Sequence, residues 1–72
     1  MANKLRQWRK QYKYTRKELA KVSGVSESTI QRLEDGRLKF ENCKLTTLIA
    51  LSTALGISVA ALLPRQLQEK VL

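Results

Sequence analysis

The segment that most constrains the fold is residues 15–36, TRKELAKVSGVSESTIQRLEDG, which predicts two short helices joined by a tight turn. Each run of helical apolar spacing ends at a glycine, Gly24 or Gly36, and glycine is favoured just past a helix C-terminus. Helices of about eight residues are marginal in water. We therefore expect these two to pack on each other and on a scaffold supplied by the rest of the chain.

Capping residues place the helix boundaries. Thr15 and Glu18 form a T-x-x-E capping box, and Ser26 is suited to cap the next helix. Helices are expected over about 2–12, 16–23, 27–35, 45–55 and the VAALL segment that Ser58 caps. The sequence thus predicts an all-α, compact bundle of five short helices, in which the second and third form a helix-turn-helix.

Apolar spacing predicts which side chains face the core. The basic loop over 37–43 has two apolar anchors, Leu38 and Phe40. In the helices, the side chains expected to make core contacts are Leu5, Trp8, Tyr12, Leu19, Val22, Ile30, Leu33, Leu45, Leu48, Ile49, Leu51 and Leu55.

Net charge indicates a polyanionic partner. The chain has 14 Lys and Arg against 6 Asp and Glu, giving +8, and residues 1–44 account for +7 of it. Nucleic acid and an anionic membrane surface are the two candidates. The first helix is basic and contains Trp8 and Tyr12, as interfacial helices do, but the series of capped helices favours a folded globule. No run is long enough to span a membrane, so we expect a cytoplasmic protein.

The residue types offer little for catalysis. Histidine is absent, so neither a Ser–His nor a Cys–His nucleophile can form. The only cysteine, Cys43, is interpreted as a packing residue. No glycine-rich phosphate loop is present, and the acidic residues lack metal-ligand spacing. We expect a non-enzyme with no metal, no cofactor and no small-molecule substrate.

A family resemblance covers about residues 4–63. The runs LRQWRKQYKYTRKELAKVSGVSESTIQRLEDG and LTTLIALSTALGISVAALL resemble the lambda-repressor-like (Cro/C1, XRE) helix-turn-helix domain. That resemblance implies a five-helix domain that binds double-stranded DNA, usually as a two-fold homodimer. The sequence departs from the family pattern at Ser23, at Cys43 and in the longer segment between Gly36 and Gly56.

The resemblance also implies roles for individual residues. Helix 3 carries the residues expected to read bases, Glu27, Ser28, Gln31 and Arg32. The residues expected to contact phosphates are Arg16, Ser26, Arg37, Lys39 and Lys13. For Glu27 two interpretations stay open, because its carboxylate either accepts from a cytosine amine or favours the helix N-terminus. Arg9 and Glu34 resemble a structural ion pair that joins helix 1 to the end of helix 3.

The predicted function is a sequence-specific, nucleoid-associated transcriptional regulator that represses by occupying a promoter. Residues 1–64 would form the DNA-binding domain, and 65–72 a tail that contributes to a dimer. The side chains expected at the dimer contact are Leu62, Leu63, Leu67 and Val71. The alternative is an antitoxin-type module that binds a partner protein and controls its own promoter.

Overall fold

A computed structural model describes residues 4–63 of the chain. Within that range it contains five α-helices, one 3-10 turn (Phe40–Asn42, between α3 and α4) and no strand. The all-α prediction is therefore confirmed, and the predicted boundaries of the second, third and fourth helices agree with those observed. The helices are α1 (Lys4–Gln11), α2 (Arg16–Ser23), α3 (Glu27–Asp35), α4 (Leu45–Leu55) and α5 (Val59–Leu62).

Side-chain caps explain why α2 and α3 begin where they do. The Thr15 hydroxyl accepts from the Glu18 N–H at 3.0 Å, and the Glu18 carboxylate accepts from the Thr15 N–H at 3.0 Å. Ser26 caps α3 by accepting from the Thr29 N–H at 3.2 Å. Both caps satisfy N–H groups that a helix start leaves without partners. The capping box and the Ser26 cap are thus confirmed.

The turn between α2 and α3 depends on a left-handed residue. Gly24 has φ 75°, and its N–H donates to the Ala20 carbonyl. A side chain there would meet no neighbouring atom, so the requirement for glycine comes from the backbone conformation. At the end of α1, Lys13 adopts φ 59° without being glycine. Nothing in the local sequence predicts a left-handed conformation at this lysine.

The core lies where all five helices meet. Helix α2 packs against α3 and α4, α1 packs against α3 and α5, and α4 packs against α5. The indole N–H of Trp8 donates to the Ala61 carbonyl at 3.1 Å, which joins α1 to α5. The buried apolar side chains are Leu5, Leu19, Ile30, Leu33, Phe40, Leu48, Leu51, Leu55, Leu62 and Leu63.

Four side chains predicted to make core contacts are exposed instead. Leu45 is 63% exposed and Ile49 is 47% exposed, so α4 presents two large apolar residues to solvent. Val22 of α2 is 54% exposed, and Tyr12 lies beyond the end of α1 at 46%, stacked on Trp8. For Leu45 and Ile49 the prediction was wrong because α4 has no charged side chain that marks a solvent-facing side, whereas Val22 and Tyr12 lie in the last turn of α2 and just past α1.

The predicted dimer contact also needs correction. Leu62 and Leu63 are only 0% and 7% exposed, because they close the domain's own core at the end of α5. They are therefore not available to a second subunit in this structure. The other two predicted contacts, Leu67 and Val71, lie outside the described residues, as does the proposed tail 65–72.

Candidate nucleic-acid interface

Helix α3 presents one polar face to solvent. Its inner face is fixed by Ile30 and Leu33, which are 0% and 1% exposed. This burial orients the helix, and the spacing of 3.6 residues per turn then assigns the remaining side chains to the outside. The four residues predicted to read bases are all exposed on it: Glu27, Ser28, Gln31 and Arg32.

Basic residues lie next to this face at the C-terminal end of α3. The N–H groups of Arg37 and Leu38 donate to the Arg32 carbonyl at 2.9 and 3.1 Å, so the chain turns back over the end of the helix. Leu38 is half-buried and Phe40 is buried, which anchors the loop and leaves Arg37 and Lys39 exposed. The apolar anchors predicted for this loop are therefore in place.

A buried ion pair holds α1 against α3. Arg9 Nε lies 2.7 Å from Glu34 Oε2, and Arg9 Nη2 lies 3.0 Å from Glu34 Oε1. Arg9 Nη1 donates to the Tyr14 carbonyl at 2.8 Å. The Glu34 side chain has no exposed area, and its hydrogen bond raises the pKa of Arg9 more than burial lowers it. This paired, fully bonded geometry is the one in which a buried charge is tolerated.

Arg16 joins the same cluster, which the sequence did not indicate. Its Nε donates to Glu34 Oε1 at 3.2 Å, and its Nη2 lies 3.7 Å from Asp35 Oδ1. Arg16 was predicted only as a phosphate contact, whereas the structure places it across the N-terminus of α2 and the C-terminus of α3. The i, i+18 spacing of Arg16 and Glu34 leaves no local sequence signal for such a pair.

Two other residues predicted to contact phosphates, Ser26 and Lys13, are both exposed. Ser26 is exposed, and its hydroxyl is engaged with Thr29, accepting from its N–H and donating to its hydroxyl at 2.7 Å. Lys13 is exposed at the left-handed residue between α1 and α2. The structure therefore gives Ser26 a capping role, and a phosphate contact from it stays a prediction.

The described residues show no arrangement for metal chemistry. Among residues 4–63, no group of three or more His, Cys, Asp or Glu side chains is close enough to hold an ion. Cys43 is half-buried, and burial raises the pKa of its thiol. A raised pKa lowers the thiolate fraction at neutral pH and with it the reactivity of the thiol. In this same part of the chain, no helix is long and apolar enough to cross a bilayer.

Comparison with known proteins agrees with this geometry. The helix-turn-helix family matches residues 5–62. A crystal structure titled as the hypothetical transcription factor NHTF from Neisseria is similar, with a TM-score of 0.72 and 26% identity over 96% of this chain and 77% of that chain. No protein of curated function is significantly similar to this one.

The five-helix fold and the exposed, polar third helix define a DNA-binding transcriptional regulator of the helix-turn-helix class. Within that class the chain belongs to the Cro/C1-type helix-turn-helix family, also called the XRE family. The family resemblance stated from the sequence is thereby confirmed.

Proposed function

We propose that this protein is a sequence-specific repressor that binds double-stranded DNA with α3 in the major groove. One observation carries the proposal: burial of Ile30 and Leu33 fixes α3 with its polar side chains facing outward, beside an exposed basic loop. A side chain reads bases only if the element that holds it enters a groove, and an α-helix fits the major groove. The repression that we propose is steric, because the bound protein occupies the promoter.

We propose that Arg32 is the main residue that recognises a base. An arginine can donate two hydrogen bonds to guanine O6 and N7, which discriminates against other bases by about 1–3 kcal/mol. Ser28 and Gln31 share its exposed face and supply neutral polar contacts. Glu27, in the first turn of α3, selects cytosine by accepting from its amine and rejects bases that lack a donor there.

The exposed basic residues Lys13, Arg37 and Lys39 bind phosphates in this proposal. Such contacts set affinity and its salt dependence, while base preference comes from α3. Each phosphate contact adds about 0.9 to the slope of log affinity against log salt concentration. Arg37→Ala should therefore weaken binding to every duplex about equally and reduce that slope by about one.

Chemical-shift mapping tests the orientation without knowledge of the operator. The ¹⁵N-labelled protein is titrated with a mixed-sequence duplex of about 20 base pairs, long enough for two half-sites one turn apart. We expect the largest amide shifts at residues 26–32 and 37–39, with α5 amides as the internal control. Largest shifts on α5 would mean that α3 is not the reading helix.

Dimerisation belongs to the same proposal, with the contact on α4. This eleven-residue helix carries no charged side chain, and its exposed residues are Leu45, Thr46, Ile49 and Thr53. Two copies that each carry +8 repel each other, so they associate most easily through an uncharged surface. An exposed apolar pair on such a surface is typical of an interface. We therefore place a second copy of this chain on the α4 face.

Sedimentation equilibrium tests this interface. Ile49→Asp should shift the protein to monomer, while Gln11→Asp, an exposed change of the same charge on α1, should leave the dimer intact. Added salt should strengthen dimerisation, because it screens repulsion between like charges. A wild-type protein that is monomeric at all concentrations would contradict the α4 dimer. The antitoxin-type alternative, in which helix 5 or the tail holds a partner protein, would then be favoured.

A further inference from the structure

Asp35 is an acidic side chain in an otherwise unfavourable position. It is the last residue of α3, where the helix dipole is negative and a carboxylate is disfavoured. It is also exposed and directly precedes Gly36 and the basic loop that holds Arg37 and Lys39. Helix stability therefore does not explain an aspartate at position 35. Among residues 4–63, the one ion-pair partner of Asp35 is Arg16.

In the ion pair between Asp35 and Arg16, another anion can replace the Asp35 carboxylate. Arg16 Nη2 lies 3.7 Å from Asp35 Oδ1, which is an ion pair but too long for a hydrogen bond. The two side chains are 31% and 35% exposed, so solvent and other anions can reach them. By contrast, Arg16 Nε is held by a hydrogen bond to the fully buried Glu34. Arg16 is thus fixed at Nε and has a replaceable partner at Nη2.

Arg16 also lies where a DNA backbone would run. It is the first residue of α2, and in helix-turn-helix proteins the helix before the reading helix crosses the phosphate backbone. Helix N-termini attract phosphate through their unpaired N–H groups. A guanidinium is the side chain best matched to phosphate oxygens. The phosphate and the Asp35 carboxylate therefore compete for the same donors.

We propose that Asp35 competes with a DNA phosphate for Arg16 and thereby limits the affinity of this protein for duplex DNA. The inference rests on the proposed function, since it needs α3 in the groove. In the free protein, Arg16 pairs with Asp35. In the complex, its Nη groups bind phosphate while Glu34 keeps the side chain oriented through Nε. Asp35 is an affinity-limiting residue, and it acts through Arg16.

A double-mutant cycle tests this coupling. Binding to a fluorescein-labelled mixed-sequence duplex of about 20 base pairs is measured by anisotropy at several salt concentrations for the wild type, D35N, R16Q and R16Q/D35N. The matched control is E41Q, which removes the same charge from an exposed residue of the 3-10 turn. D35N should lower Kd about two- to fivefold, the range expected for one exposed ion pair, and E41Q clearly less. In the R16Q background, D35N should lower Kd no more than E41Q does.

Three results would overturn the inference in distinguishable ways. If the wild type binds no duplex, the proposed function fails, and the competition at Arg16 fails with it. If the wild type binds and D35N raises the affinity for duplex no more than E41Q does, the gain in affinity comes from net charge alone. If the gain of D35N persists in the R16Q background, Asp35 repels phosphate directly and Arg16 is not the group for which it competes. A urea unfolding curve for D35N that matches the wild type excludes a folding effect.

Discussion

Removing the buried carboxylate of Glu34 should remove a large share of the domain's stability. Glu34 has no exposed side-chain area and accepts two hydrogen bonds from Arg9 and one from Arg16. In Glu34→Ala the Arg9 guanidinium stays buried at 11% exposure and keeps only its bond to the Tyr14 carbonyl. Leaving a buried charge without its partner costs about 3–5 kcal/mol. A chain of 72 residues has a total stability of about 4–11 kcal/mol.

Urea unfolding followed by circular dichroism measures this loss. We expect the free energy of unfolding to fall by about 3–5 kcal/mol and the melting temperature by at least about 12 °C. Glu41→Ala, which removes an exposed acid, is the control and should change the free energy by less than about 0.5 kcal/mol.

A double-mutant cycle then separates the interaction energy of Arg9 and Glu34 from the other effects of removing each side chain. Arg9→Ala combined with Glu34→Ala should cost clearly less than the sum of the single changes, because no unpaired arginine is left at position 9. A loss below about 1 kcal/mol for Glu34→Ala, or additive single changes, would contradict a stabilising role of the buried ion pair. The Arg9–Glu34 pair would then contribute no more to the free energy of unfolding than an exposed ion pair does.

Two further predictions concern α2 and the cysteine. Thr15→Ala should cost about 0.5–2 kcal/mol in urea unfolding at neutral pH, because it removes the cap of α2; an unchanged midpoint would contradict the role of the capping box. Hydrogen bonds from Thr15 lower the pKa of Glu18 below its ordinary 4.5. This contribution to stability is therefore present above that value and is lost as the pH falls through the folded pKa, so Glu18→Gln should flatten the acid side of the stability curve. Burial raises the pKa of Cys43 above 9.0, so folded protein at about pH 8 should react with Ellman's reagent more slowly than protein unfolded in urea, and equal rates would contradict its burial.

The helix boundaries could be predicted because they depend on local chemistry. The capping box of Thr15 and Glu18 and the cap at Ser26 involve residues three positions apart, so each signal is contained in a few letters. Glycines past the helix ends act through the backbone of a single residue. Such features do not depend on how the helices pack, which explains why both ends of α2 and α3 and the C-terminal end of α4 were placed correctly.

Packing and exposure were predicted less well because they depend on distant residues. On α4, which has no charged side chain, apolar spacing alone does not distinguish a buried Leu48 from an exposed Leu45. The neighbours α2 and α5 decide which face is covered. The network of Arg16 with Glu34 and Asp35 is likewise formed across the two helices by the turn between them. Only the Arg9–Glu34 pair was anticipated, and it came from the family resemblance rather than from the local pattern.

Selection from a random duplex pool tests whether α3 reads a DNA sequence. The purified protein selects ligands at about 0.15 M salt, where non-specific phosphate binding is weak. We expect a two-fold symmetric motif with half-sites about ten base pairs apart, as two copies of α3 in successive major grooves require. The same selection with Arg32→Ala should relax the preference at one position in each half-site. A pool without any enriched sequence would contradict base reading by α3.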